Sequence, residues 1–334
     1  MRTVPGLQII SFFAGLFLKP AVCLFLFFAS VLFFITGDFL TEIDTSKVID
    51  GRAVAAKVEA EVTAAVLKLK EKDIVPKLVT VLVGDDPASK MYVRMKHKAC
   101  ERVGILAEDC TKPADITEEE LLSVIKDLNC DKTVSSILVQ VPLPNHINAQ
   151  TIMNEISPNK DPDGFHPFNM GNLMINEEGL VPCTPKGIIR LMEEYNVDIK
   201  GKNAVVVGRS AIVGKPMAAM LLNRHATVTV CHSSTKDLKS YTKEADILVV
   251  GTGVKHLIKE DMVKEGAAVF DAGITTDSTG TYGDVDFDNV IRKASLITPV
   301  PGGAGPMTIA ILMMHVVQCA EIISGCGCSC QNKS

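Results

Sequence analysis

The sequence predicts an α/β protein of two domains behind a hydrophobic leader. Three observations carry that reading. Short β-branched runs alternate with amphipathic helical stretches from residue 48 onward, the pattern of parallel sheets covered by helices. The chain has 334 residues, a length that suits two domains better than one. Its composition breaks near residue 40: nine of the 13 Phe lie in residues 1–40, and the rest holds four Phe, four Tyr and no Trp.

Overall the chain is 47% apolar and 22% charged, enough for a sizeable core, which excludes a disordered, collagenous or small disulfide-scaffold protein. The net charge of −5 argues against a broad nucleic-acid-binding surface, and no nucleic-acid partner is expected.

In chain order, the leader comes first. Eighteen residues from Pro20 to Gly37 carry no charge, which barely reaches the length of a membrane-spanning helix. The stretch reads as a signal anchor or uncleaved leader, a cleaved targeting segment, or an artefactual extension. It is too hydrophobic and too poor in Arg and Ser for a mitochondrial presequence. Residues 48–72 are Ala-rich with spaced apolar positions, an amphipathic helix. KLVTVLVGDD is a buried strand and its turn, residues 88–103 return to helical spacing, and TEEELLSVIKDLNC is a helix capped by Thr117 with Glu120. SSILVQVPLP is the next strand, stopped by prolines. Residues 157–185 are loop-rich, after which Pro185 opens a helix with Thr184 as N-cap.

A second series follows. GKNAVVVG is a strand, SAIVGKPMAAMLLNRH a helix, ATVTVCHSST a strand, then a helix to Glu244, the strand ADILVVGTG, a helix at 259–265 and the strand AAVFDAGI. SLITPVPGGAGPMT is a Pro/Gly loop, and TIAILMMHVVQCAEII closes the fold as an apolar helix. The expected organisation is a leader at 1–40, a first catalytic domain at 41–184 plus 305–325, a nucleotide-binding domain at 185–304 and a Cys-rich tail at 326–334. Of ten Cys, the six in the body are single and form no CxxC, so the body reads as reduced and intracellular, with no metal site. The CGCSC tail reads as a frayed terminus, with soft-metal binding or lipidation as alternatives.

Two sets of residues carry chemistry. AVVVGRSAIVGKPMA is strand, glycine turn and helix, whose free N–H groups and dipole attract phosphate. Gly208 matches the first glycine of the usual GxGxxG fingerprint. Ser210 takes the second place, and Gly214 comes one position late. The second strand ends His232-Ser233-Ser234-Thr235-Lys236, without the acid that would hold an NAD ribose. Arg209 and Lys236 with these hydroxyls suit a 2′-phosphate, so the chemistry leans to NADP. The bland reading is a tight turn with solvated basic residues. In the first domain Ser89, Tyr92 and Lys96 share one helix face, and a Tyr four residues before a Lys can hydrogen-bond its amine. Gln140 is polar within an apolar strand and needs a partner or a role, and Asp163 can accept N–H groups of a heterocycle. Taken singly, each is common in structural helices and loops.

Together they resemble the bifunctional methylenetetrahydrofolate dehydrogenase/cyclohydrolase family. The likeness runs from about Val48 to Glu321 through YVRMKHKA, VQVPLP, DPDGFHPFNMG, PCTPKGI, VVVGRSAIVGKPMA, VCHSST and TPVPGGAGPMT, in that order. It implies a folate-holding first domain onto which the last helix packs back, a Rossmann second domain, a cleft between them and a homodimer. The implied chemistry is oxidation of 5,10-methylenetetrahydrofolate with NADP+, then hydration of the methenyl form to 10-formyltetrahydrofolate. The resemblance implies catalytic roles for Lys96, Tyr92 and Gln140. It implies substrate contacts from Ser89, Tyr92, Gln140, Asp163, Pro301, Gly302 and Gly303. Cofactor contacts are implied at Gly208, Arg209, Ser210, Gly214, Ser233, Gly251, Thr252, Gly253 and Ile274. The partners are tetrahydrofolate derivatives and, through residues 20–37, a membrane surface; the body is expected in the cytosol or mitochondrion. Three departures stand out: the hydrophobic leader, which the chemistry does not require, the short loop ITTDSTGTYGDVDF, and Ala304 after the double glycine where Val is frequent. An NAD-dependent monofunctional dehydrogenase and a non-catalytic tethered binding protein remain the alternatives.

Overall fold

Asp50 starts the first helix of the computed structural model, which describes residues 44–177 and 179–325. One carboxylate oxygen of Asp50 accepts the N–H groups of Arg52 and Ala53, each at 3.0 Å, satisfying two donors that a helix start leaves unpaired. The helix α1 (Gly51–Lys70) buries Val54, Val58, Val62, Val66 and Leu69, a stripe at three- and four-residue spacing. Each such side chain contributes about 1.5–3 kcal/mol when fully buried. The sequence continues as β1 (Lys77–Val83), α2 (Pro87–Val103), β2 (Leu106–Lys112), α3 (Glu118–Cys130) and β3 (Ser136–Val139). The strands form a parallel sheet in the order β2-β1-β3. Thr117 and Glu120 form the expected reciprocal cap on α3. β2 was not expected: LAEDCTK lacks an apolar run because it is an edge strand with half of its side chains in solvent.

The loop-rich stretch contains the short helix α5 (Pro167–Met174), preceded by α4 (Ala149–Glu155). His166 caps α5, its Nδ1 accepting the Phe168 N–H at 3.1 Å. The next helix, α6 (Cys183–Glu194), begins two residues before Pro185, and Thr184 is not its N-cap. The Thr184 hydroxyl instead bonds the Thr308 hydroxyl at 2.9 Å, tying α6 to the last helix.

The second sheet comprises β4 (Asn203–Val207), β5 (Thr227–Cys231), β6 (Ile247–Val250), β7 (Ala268–Asp271) and β10 (Leu296–Ile297), all parallel, in the order β10-β7-β6-β4-β5. Helix α7 (Gly214–Asn223) connects β4 to β5, and α8 (Leu238–Thr242) follows β5. The helix expected at 259–265 is only a 3-10 turn at Glu260–Met262, too short to lay an apolar face on the sheet. A hairpin of β8 (Thr275–Asp277) and β9 (Gly280–Tyr282), and the turn helix α9 (Phe287–Val290), precede β10.

The final helix, α10 (Ala304–Ile323), packs on α1, α6 and α2. Its sequence is apolar all round because buried residues ring it, from Met307 and Ile311 to Val316 and Cys319. Among the described residues it is the one helix long and apolar enough to cross a membrane, but over half of it is buried and it serves as a core helix. The leader and the CGCSC tail lie outside the described residues.

Candidate active site

In the first domain the site is built on α2 and the end of β3. Asp86 caps α2 by accepting the Ser89 N–H at 2.8 Å, and Ser89 itself is buried. One turn on, Tyr92 stands 51% exposed, and a further turn on comes the half-buried Lys96. Lys96 Nζ donates to Gln140 Oε1 at 3.2 Å. The Gln140 amide is fixed from its other side, because its Nε2 donates to the Val141 carbonyl at 2.7 Å. Its own N–H bonds the Val81 carbonyl at 2.9 Å, so the strand ladder places the side chain. The polar residue in an apolar strand thus has its partner, and that partner is Lys96. Among the described residues no hydrogen bond joins Tyr92 to Lys96.

Asp163, only partly buried, stands apart from its buried neighbour Asp161. Its carboxylate makes no hydrogen bond among the described residues. Burial raises its pKa to about 6, with Lys96 pulling down and Asp161 pushing up. Its neighbour Asp161 is instead saturated: it accepts the N–H groups of Gly164 at 3.1 Å and His166 at 2.7 Å, and Asn169 Nδ2 at 3.2 Å. In the Pro301-Gly302-Gly303 turn the close approach is internal, since a Cβ on Gly51 would overlap the Gly303 carbonyl oxygen. The glycines there let the start of α1 meet the turn backbone to backbone.

In the second domain the chain leaves β4 for β5 on one side and then crosses to β6 on the other. In open parallel sheets ligands bind beyond the carboxyl ends of the strands at such a reversal. Gly208 lies there with φ +126°, and a Cβ on it would overlap the Gly251 carbonyl oxygen. A Cβ on Gly214 would likewise overlap the Gly208 carbonyl, so the turn after β4 closes only with glycine at both positions. The late glycine of the fingerprint is therefore the one the turn requires. Ser210 Oγ accepts the Val213 N–H at 3.1 Å and the Gly214 N–H at 3.4 Å, holding the start of α7. Arg209 beside it is exposed, as are Ser233 and Lys236 at the end of β5. The turn after β5 is ordered by His232, whose N–H donates to Thr235 Oγ1 at 2.8 Å. Gly251, Thr252 and Gly253 follow β6, and Ile274, 59% exposed, lies in the segment after β7.

Two buried acids escaped the sequence reading. Asp284 is fully buried, and its Oδ2 accepts the Thr252 N–H, the Thr252 hydroxyl at 2.8 Å and the Gly253 N–H at 3.0 Å. Asp271 accepts the Gly273 and Val285 N–H groups, each at 2.8 Å, and burial raises its pKa to about 6, with the Asp284 charge adding to the rise. The signal was present in GDVDF, an acid set among Gly and apolar residues inside a segment read only for its length.

Comparison with known proteins gives this geometry its context. Residues 49–163 match the family model described as tetrahydrofolate dehydrogenase/cyclohydrolase, catalytic domain, and residues 182–324 match the NAD(P)-binding domain of the same family. The chain belongs to the tetrahydrofolate dehydrogenase/cyclohydrolase family. It is 65% identical over 283 residues to the bifunctional protein FolD of Methanosarcina mazei, covering 84% of this chain and 99% of that protein. The crystal structure of the bifunctional FolD enzyme from Campylobacter jejuni superposes with a TM-score of 0.81 at 49% identity, over 82% of this chain and 98% of that one. The Trypanosoma brucei FolD structure, a complex with NADP cofactor and an inhibitor, gives 0.77 at 38% identity, over 82% and 97%. The family's two-domain architecture, with the last helix returning to the first domain, is the fold described above.

Proposed function

We propose that the chain oxidises 5,10-methylenetetrahydrofolate with NADP+ and hydrolyses the methenyl product to 10-formyltetrahydrofolate. The observation that carries this reading is Lys96 Nζ held by Gln140 Oε1 at 3.2 Å, beside the unpaired carboxylate of Asp163. NADP+ supplies the hydride acceptor. The turn after β4 suits its pyrophosphate, and Arg209 and Ser233 suit its 2′-phosphate. Oxidation then needs no protein base; it needs the folate carbon held near the nicotinamide, a matter of positioning shared by the two domains.

Hydration needs more. Water adds to the cationic methenyl carbon and loses one proton; its second proton leaves as the formyl carbonyl forms, the nitrogen of the opening carbon–nitrogen bond takes one up, and one proton is released overall. Lys96 is suited to move a proton in this step, and its hydrogen bond to Gln140 supports that reading by fixing where the amine points. Asp163, with free acceptor oxygens in a partly buried position, is suited to the N–H groups of the pterin. The test is Lys96→Ala. Absorbance of the methenyl product, followed with NADP+ and methylenetetrahydrofolate, is expected to rise and persist instead of decaying. A folded variant with near-normal hydrolysis would remove Lys96 from this role.

The reading extends to a homodimer and to membrane association of an intracellular enzyme. Strand β5 forms an edge of the second sheet with Val230 exposed, open to pairing with a second copy. A monomeric mass in light scattering would count against it. The uncharged stretch from Pro20 to Gly37 supports membrane association, and a wholly soluble full-length chain after cell fractionation would oppose it.

A further inference from the structure

Behind Asp163 lies a pair of buried groups that the reaction above does not use. His315, on α10, is fully buried, and Cys183, the first residue of α6, is 3% exposed. Cys183 Sγ and His315 Nδ1 are 3.6 Å apart. Both reach one acceptor, the Pro162 carbonyl oxygen: His315 Nδ1 at 2.9 Å and Cys183 Sγ at 3.3 Å.

A Cys–His pair invites comparison with a nucleophilic dyad, but the surroundings oppose that. Burial pushes the Cys183 thiol well above its ordinary range, and the charges of Asp163 and Asp161 push it further. Burial lowers His315 to about 4, the Pro162 carbonyl working against this and Lys186 with it. A thiolate–imidazolium pair therefore does not form near neutral pH. A carbonyl oxygen only accepts, so the ring nitrogen facing Pro162 carries its proton, and His315 is the neutral Nδ1–H tautomer. The other nitrogen, Nε2, is buried without a hydrogen-bond partner. That is an uncomfortable placement for an imidazole, held for what Nδ1 does.

The Pro162 carbonyl and the Asp163 N–H belong to one planar peptide unit, so fixing the oxygen fixes the axis from which the Asp163 side chain departs. From the other side, Asp161 holds the Gly164 and His166 N–H groups. Asp163 lies between these two anchors, and its own carboxylate is left without a bond. We infer that His315 and Cys183 are positioning residues for Asp163, clamping the Pro162 carbonyl so that the carboxylate meets the folate ring in one orientation. The inference rests on the proposed role of Asp163 in holding folate. It also gives α10 a part in the site, because the last helix of the chain carries a donor back to the substrate loop of the first domain.

The experiment uses the full chain and compares His315→Leu, His315→Asn, Asp163→Asn and the His315→Leu/Asp163→Asn double variant. The readouts are KM for methylenetetrahydrofolate, KM for NADP+, kcat and thermal midpoint. His315→Leu is expected to raise the folate KM about ten-fold, equivalent to about 1.4 kcal/mol, while the NADP+ KM stays within two-fold. His315→Asn, whose amide can reach the place of Nδ1, is expected to recover most of that loss. In the Asp163→Asn background the His315 substitution is expected to add nothing, because the residue acts through Asp163. A folded His315→Leu with unchanged folate KM, or an additive double variant, overturns the inference. So does a fall in thermal midpoint with no change in folate KM, the mark of a merely structural histidine. If His315→Leu does not fold, Cys183→Ala removes the second donor; a folded Cys183→Ala with unchanged folate KM is equally decisive. Asp163→Asn with wild-type folate KM would instead remove Asp163 from folate binding, and the inference with it.

Discussion

Replacing Asp284 with Asn separates the two activities. Asp284 Oδ2 collects three donors from Thr252 and Gly253, the residues that follow β6 at the reversal of the second sheet. Hydrogen bonds to a charged acceptor contribute about 1.5–3 kcal/mol and neutral ones about 0.5–1.5, so three such bonds weaken by roughly 3 kcal/mol in all. Part is returned, because the substitution removes a charge that pushes against buried Asp271. A net loss of about 2 kcal/mol corresponds to roughly 30-fold in cofactor affinity when the loop loosens without unfolding the sheet. The assay measures dehydrogenase kcat/KM against NADP+ and, separately, hydrolysis of preformed methenyltetrahydrofolate without cofactor. The first is expected to fall about 30-fold and the second to stay within two-fold, since Lys96, Gln140 and Asp163 belong to the other domain. Equal loss of both activities, or an unchanged NADP+ KM in a folded variant, refutes the reasoning.

Two further outcomes follow from the site. Asp163 is raised to about 6, above its ordinary 3.8, so it is protonated below about pH 6 and charged above it; kcat/KM for folate is expected to fall as pH drops through 6, and Asp163→Asn to flatten that limb. The sign for stability is opposite: the folded state binds this proton more tightly than the unfolded chain, so the group favours folding most below pH 3.8 and loses that contribution between about 4 and 6. A urea titration of wild type against Asp163→Asn over that range reads it, and equal pH dependence in the two proteins would contradict it. Arg209→Ala is expected to lower the preference for NADP+ over NAD+ by about ten-fold, as one charge-assisted contact to a 2′-phosphate is lost. An unchanged ratio of kcat/KM values, measured with and without added phosphate, removes Arg209 from that role.

The alternation of strands and helices was legible because parallel strands buried on both faces read as β-branched runs: LVTVLV, SILV, NAVVV and ILVV carry the sheets. Strand β2 was not legible, since an edge strand needs only backbone pairing and its side chains face water. Helix α5 hid behind Pro and Gly because a histidine, not Ser, Thr, Asp or Asn, caps it. In the site, Gln140 could be found from sequence, a polar residue against an apolar background. His315 could not, since it lies within the apolar final helix, and Asp284 showed only as an acid among Gly and apolar residues in a loop, without its partners. Their meaning comes only from what the fold sets against them: a carbonyl at position 162 and two N–H groups at 252 and 253.

The buried carboxylates sort by what they already hold. Asp161 and Asp284 each take three donors from the chain itself, and Asp271 takes two backbone N–H groups. The bonds these groups make go to the chain's own N–H and hydroxyl groups and hold its loops, although Asp284 Oδ1 itself has no partner. Asp163 holds nothing, yet burial has already raised it to about 6. An unpaired, partly buried carboxylate is a cost to the fold, and a ligand that brings N–H donors relieves it on binding. Under the proposed role of Asp163, that cost is recovered when the folate ring arrives, and the same residue then selects against rings that lack those donors.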